Sequence, residues 1–304
     1  MLLLPREFVN SPAALAQTHT PAAAAAYTRW LATHHYENFH VVTLLLPRRL
    51  RQDFYNVYAF CRWADDLGDE IGDPHESLRL LEWWREGLDL MFEGHATHPV
   101  FVALRGTVSR HELPPEPFRD LIRAFVQDQT VHRYNTYEEL YDYCRLSANP
   151  VGRLVLCLCG YRDPERLRLS DATCTALQLA NHWQDISVDL DKGRLYLPLE
   201  VLQRHNCPVQ DVLERRCTPP FREAVREAVG VARQFFLQGL PLVRMVNRRL
   251  ALDLELFSRG GMRVLARIER QDYDVLTRRP SISRPERAWL LLSTLARMIV
   301  PRTA

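Results

Sequence analysis

Two stretches of the chain set charged and hydrogen-bonding residues at helical spacing among apolar neighbours. In the first, Tyr58, Arg62, Asp65 and Asp69 are spaced 4, 3 and 4, with Asp66 alongside. At 3.6 residues per turn they form one stripe of phenol, guanidinium and two carboxylates. Val57, Phe60, Trp63 and Leu67 flank it. In the second, Gln178, Asn181, Asp185 and Asp189 are spaced 3, 4 and 4, flanked by Leu177, Leu179, Trp183 and Ile186. These apolar flanks predict that both stripes point inward. Buried carboxylates on one helix repel each other and are costly without compensation. Hard divalent cations supply the counter-charge, and Mg²⁺ favours carboxylate and phosphate oxygens. If the two helices face one another, four carboxylates surround a chamber in which a diphosphate completes the coordination, paired by Arg62. One such spacing alone also fits a solvated face. Asp65, Asp66 and Asp69 also suit a helix end, and Asp189 with Asp191 the approach to a turn. Duplication of the stripe favours the chemical reading.

Helices must position these residues. Pro and Gly punctuate long helical segments, predicted at Pro21 to about His34, Arg49 to Asp69, Pro74 to Phe92, 98–110, 115–130 and 136–147. Further helices are predicted at 151–160, 170–188, 219–247, 249–270 and 284–300, with Gly193 to Pro198 as a loop. No run alternates as a strand does, so the fold class is all-α. No composition break marks a linker: the expectation is one domain over 1–304, with about the first 20 residues reading as disordered.

Bulk composition excludes several function classes. The 304 residues suffice to enclose a cavity as well as a core. With 47% hydrophobic and 25% charged residues the chain reads as soluble and globular. A net charge of +2 and no Lys/Arg block argue against nucleic acid as a partner. Lys192 is the single lysine, so basic chemistry falls to arginine, which binds phosphate bidentately, although a GC-rich genome produces the same bias. Seven scattered cysteines with no CxxC read as free thiols in a reducing compartment. The opening MLLLPREF is too short for a signal peptide, and no stretch reaches the roughly 18 apolar residues of a membrane span. The expected location is the cytoplasm, with contact at a membrane surface left open.

From about His34 to Pro301 the chain resembles the squalene/phytoene synthases. The resemblance rests on Leu45-Leu46-Pro47-Arg48-Arg49-Leu50-Arg51, on Tyr58-x-x-x-Arg62-x-x-Asp65-Asp66-x-x-Asp69, and on Gln178-x-x-Asn181-x-x-x-Asp185-x-x-x-Asp189 followed by Gly193-Arg194-x-Tyr196-x-Pro198. It implies an isoprenoid synthase helical bundle with a central cavity and Mg²⁺ as cofactor. Asp65, Asp69, Asp185 and Asp189 would ligate the metal, with Asp66 beside them and Asn181 assisting. Tyr58, Arg62 and Gln178 would contact the diphosphate, Phe39 and Tyr273 the substrate, and Tyr143 the region of the reacting carbons; an ordinary packing tyrosine is the alternative there. Phe39, Phe60 and Trp183 would wall an apolar pocket, or simply belong to the core.

Departures from the family pattern point to one branch. Glu37-Asn38-Phe39 replaces a Ser-x-Ser-Phe element, Gln184 stands where Arg precedes the Asp185 position, and Ser147-Ala148-Asn149-Pro150-Val151-Gly152-Arg153 departs from Val-Ala-Gly-x-Val-Gly. With Glu255-Leu256-Phe257-Ser258-Arg259-Gly260-Gly261, these are similar to the hydroxysqualene synthases of bacterial hopanoid biosynthesis. The substrate would be presqualene diphosphate, with Asn149 and Arg153 positioning the water; Asn149 alternatively just ends a helix before Pro150. A sister branch condensing farnesyl diphosphate, a phytoene-type synthase, and a non-catalytic binding module are the competing readings. The greasy substrate implies peripheral membrane contact, and the pathway implies its other enzymes as partners.

Overall fold

Side-chain caps and N-terminal prolines start several of the helices, as their chemistry dictates. The computed structural model describes residues 2–34 and 47–299, the side chains of 284 and 295–299 excepted. The helices are α1 (Pro5–Val9), α2 (Pro12–Leu15), α3 (Pro21–His34), α4 (Arg51–Asp69), α5 (Pro74–Phe92), α6 (Pro99–His111), α7 (Glu116–Gln127), α8 (Tyr137–Ser147), α9 (Asn149–Leu158), α10 (Pro164–Asp191), α11 (Leu199–Arg204), α12 (Val209–Leu213), α13 (Pro219–Gly239), α14 (Arg248–Arg270) and α15 (Arg284–Ile299). Short 3₁₀ turns cover Arg48–Leu50 and Leu240–Arg244. Asp73 and Asp163 accept hydrogen bonds from the backbone N–H of His75 and Arg166, each just ahead of a proline at the first helical position. The described residues contain no strand, only an isolated bridge between Arg133 and Leu195. None of their helices is long and apolar enough to cross a membrane.

The chain packs as two compact units, residues 1–130 with 153–162 and residues 131–152 with 163–304. In the first, α4 buries Phe54, Val57, Phe60, Trp63 and Leu67 along one face. Trp63 stacks on Trp84 of α5 at 5.0 Å, and Phe60 meets Phe118 of α7 edge-on at 5.0 Å. Phe60 is therefore core of this unit. Two buried polar hubs tie α4 to its neighbours. The Asn56 amide donates to Thr107 Oγ1 and the Ala103 carbonyl while Thr28 donates to its oxygen. Asp53 accepts from Thr107, Arg110 and His111.

The start of the chain departs from expectation. Instead of disorder, residues 5–9 and 12–15 form short helices. Phe8 is buried edge-on against Trp63 at 5.3 Å, and the Tyr27 hydroxyl donates to the Leu3 carbonyl at 2.9 Å. One aromatic anchor overrides an Ala/Pro/Thr-rich composition.

In the second unit, α10 runs 28 residues and packs along α13 and α14. Glycine permits the closest approach. A Cβ at Gly239 would stand 2.1 Å from Thr173 Oγ1 and 3.1 Å from the Leu169 carbonyl; one at Gly261 would strike the Phe236 ring at 2.2 Å. α10 ends at Asp191 with Lys192 as its C-cap, and Gly193 turns the chain with φ +72°.

Asp253 of α14 is buried at 3% exposure, and neither oxygen has a hydrogen-bond partner among the described residues. Desolvation pushes its carboxyl up to about 8. The folded-state value lies above the unfolded one, so the native state retains a proton the unfolded chain releases. Native stability should therefore fall as pH rises from 3.8 towards about 8. Asp253→Asn keeps the shape and removes the titration. Its thermal midpoint is expected to decline less over that range than the parent's, with the gap widest near pH 8; parallel curves would show that Asp253 does not titrate there.

Candidate active site

α4 carries the first acidic segment on its last turns. Gln129 of the segment after α7 donates to the Gly68 carbonyl at 3.1 Å, and Gly68 abuts Phe125, which pins this end of the helix. Arg62 donates to Asp65 Oδ2 at 3.0 Å and pairs with Asp66 on the other side. Desolvation, reinforced by Asp69, Asp66 and Glu70 and opposed by Arg62, pushes the Asp65 carboxyl up to about 6. Burial likewise raises Asp66. Arg62 thus stands within a run of four carboxylates, Asp65, Asp66, Asp69 and Glu70.

The predicted inward stripe needs correction here. Asp69 is exposed, Tyr58 and Asp65 are half-buried, and the buried carboxylate is Asp66. The apolar face of α4 rotates the stripe to the edge of the core, and only Asp66 lies on the inner side.

α10 presents the second segment, and this face too is more open than expected. Asn181 is exposed, while Gln178, Asp185 and Asp189 are half-buried. Trp183, between them in sequence, is fully buried and anchors the helix face opposite. Arg279 grips Asp185 bidentately, Nε at 2.5 Å and the terminal nitrogen at 3.2 Å, and Asp189 also raises the Arg279 pKa. Gln184 donates to the Pro280 carbonyl at 2.6 Å, which fixes the segment that carries Arg279.

Sequence reasoning missed Arg279 and His182. His182 is buried, stacked on Tyr196 at 3.8 Å, and desolvation lowers its pKa to about 3, so the ring stays neutral. It lies 3.2 Å from the Gln178 amide nitrogen, which a neutral ring nitrogen accepts from. Tyr134 and Tyr143 complete the cluster, Tyr143 with centroids 5.8 Å from Tyr196 and 6.1 Å from His182. The signal available was that His182 lies between two motif positions. Arg279 pairs across 94 residues and had no local signal.

Asn149 starts α9 and is buried. Its Oδ1 accepts from the Thr175 hydroxyl at 3.0 Å, which leaves its amide N–H groups as donors. Arg153 lies half-buried one turn further along α9. Tyr273 adopts φ 60° next to Asp272 at φ 52°, an uncommon conformation for a bulky residue. Arg226 stacks over its ring at 4.7 Å, and Arg222 pairs with Asp272. Phe39 lies outside the described residues.

Among the described residues no three His, Cys, Asp or Glu side chains stand together as a cage for a metal ion. Mg²⁺ is commonly held through one or two carboxylates, with water and phosphate oxygens filling its octahedron. Each acidic segment offers such a donor set, carboxylate oxygens on a partly open helix face.

The family profile described as squalene/phytoene synthase matches residues 32–286, and the chain belongs to that family. The fold is that of the all-α isoprenoid synthases. The chain is 30% identical over 264 residues to a phytoene synthase of Arthrospira platensis, covering 83% of this chain and 85% of that protein. It is 31% identical over 243 residues to a hydroxysqualene synthase of Rhodopseudomonas palustris, with 79% and 82% covered. The crystal structure of squalene synthase HpnC from Alicyclobacillus acidocaldarius superposes with a TM-score of 0.81 at 48% identity, covering 84% of this chain and 96% of that one.

Proposed function

We propose that the chain is a hydroxysqualene synthase acting on presqualene diphosphate. The C–O bond breaks with both electrons leaving on diphosphate. The cyclopropylcarbinyl cation rearranges, and water adds its oxygen to the carbon and gives up a proton to the released diphosphate. Family membership with both acidic segments intact, on helix faces that remain partly open, carries this reading. Likeness to a hydroxysqualene synthase, 31% identical, supports the branch.

Mg²⁺ held by Asp65, Asp69, Asp185 and Asp189, with Asp66 and Asn181 beside them, would neutralise charge developing on the leaving diphosphate. Arg62 and Tyr58 donate hydrogen bonds that strengthen as that bond breaks, and Gln178 contacts the same group. Neutral His182 holds the Gln178 amide in place. Tyr143 stands near the reacting carbons with its ring against Tyr196, where an aromatic face stabilises a cation. The Asn149 amide, its oxygen occupied by Thr175, directs N–H donors at the attacking water's oxygen, with Arg153 assisting. Phe39 and Tyr273 contact the prenyl chains. The enzyme works in the cytoplasm, in peripheral contact with the inner face of the membrane that supplies its substrate and alongside other enzymes of hopanoid synthesis.

The phytoene and squalene synthase names among its relatives favour a second reading, head-to-head condensation of two prenyl diphosphates. Purified protein with Mg²⁺ given presqualene diphosphate or farnesyl diphosphate separates them. Hydroxysqualene from the first substrate is the expected product. Conversion of farnesyl diphosphate alone would move the chain to the condensing branch, and turnover of neither would leave a binding module.

A further inference from the structure

The second unit carries several exposed large apolar side chains. Leu237 (54% exposed) and Leu240 (45%) close α13 and open the 3₁₀ turn after it, Phe257 lies on α14, and Trp289 (61%) and Leu292 (66%) lie on α15. Leu237 and Leu240 line a cavity of about 600 Å³ together with Phe236 and Met262. Arg259 lines this cavity and stands 5.8 Å over the Trp289 ring, so cavity and α15 form one surface. Monomeric soluble proteins seldom keep such a contiguous apolar patch unless something docks there.

The charges beside the patch say what docks. Between Glu227 and Asp253 the charged residues are Arg233, Arg244, Arg248 and Arg249. Arg233 pairs with Glu269, while Arg244, Arg248 and Arg249 are exposed, and Arg244 stands at the cavity. Glu255 is the one carboxylate in the cavity lining. Apolar side chains, an exposed tryptophan and an arginine cluster suit the boundary of an anionic bilayer: rings and aliphatic groups enter the acyl layer while guanidinium groups meet headgroups.

We propose that the face formed by Leu237, Leu240 and Trp289, with Arg244 and Arg249, seats the protein on an anionic lipid bilayer. This rests on the membrane contact put forward above and assigns it a face. The face lies away from the acidic end of α10. Gly239 abuts Thr173, and Asp185 follows twelve residues later, roughly 18 Å along the helix. Changes here leave the proposed catalytic residues untouched.

Flotation with phosphatidylcholine vesicles, with and without phosphatidylglycerol, tests it. The full chain is expected to float with the anionic vesicles and to bind plain phosphatidylcholine at least about tenfold more weakly. Exposed Trp289 should shift its emission to the blue on binding, and Trp289→Phe should float but lose that shift. Leu237→Glu with Leu240→Glu is expected to cut vesicle binding by about tenfold or more. Its far-UV dichroism and its turnover of detergent-dispersed substrate should stay at parent level. Arg244→Gln with Arg249→Gln should weaken binding to anionic vesicles alone. If the parent chain ignores both vesicle types, membrane contact itself fails. If parent and leucine variant float equally, membrane contact stands and this face is wrong. A parent dimer by light scattering that the leucine variant dissociates, without vesicle binding, would make the face a self-association surface and overturn the proposal.

Discussion

Asp185→Asn is expected to lower turnover by about 10²–10³-fold, the usual effect of removing one preorganised charge-stabilising group, while barely moving stability. Asparagine keeps the shape of the side chain and loses the charge that both Mg²⁺ and Arg279 use. The stability cost stays small because the Asp185–Arg279 pair is open to water: the carboxylate is 29% exposed and the guanidinium 51%. Such pairs contribute about 0–1 kcal/mol, and Arg279 freed of its partner remains hydrated. Asp65→Asn should lose activity to a similar degree, and the Mg²⁺ concentration for half-maximal rate should rise in both. Steady-state rates across a Mg²⁺ titration, with far-UV dichroism and a thermal melt on the same samples, supply the check. Activity within a few-fold of the parent in both variants would remove these carboxylates from the metal site.

The second large effect falls on stability. Trp183→Ala should cost about 3–5 kcal/mol in unfolding free energy, the range for emptying a buried aromatic site. Trp183 is fully buried, between Asn181 and Asp185 on α10. Its indole N–H has no hydrogen-bond partner among the described residues. Trp183→Phe should therefore cost much less than alanine, since it retains most of the apolar contact and removes an uncompensated polar group. Urea unfolding of the three proteins measures this. A loss below about 1 kcal/mol for alanine would mean the site collapses onto the gap or that Trp183 is not core.

How far local rules carry is visible in α10. The sequence reading started it at Ser170, yet the helix begins at Pro164. Asp163 followed by Pro164 is a start signal of known mechanism, side-chain cap then proline at the first helical position, and weight placed on it would have recovered the missing residues 164–169. At the other end Gly193, in a left-handed turn, explains why the helix stops close to where it was expected. The short helices Leu199–Arg204 and Val209–Leu213 had too few residues to show a period.

The spacing of Tyr58, Arg62, Asp65, Asp69, Gln178, Asn181, Asp185 and Asp189 by itself determined that two helices each carry a polar stripe, because 3.6 residues per turn is a property of the backbone alone. Apolar runs and proline punctuation determined an all-α fold by the same local physics. Tertiary structure alone decided which carboxylate is buried, since that depends on how α4 rotates against α5, α6 and α7, and it chose Asp66. It alone brought Arg279 to Asp185 and Thr175 to Asn149. It alone left Asp253 without a partner and gathered Leu237, Leu240 and Trp289 on one face. These are pairings between residues distant in sequence, set by side-chain packing over the whole unit, and no local pattern encodes them.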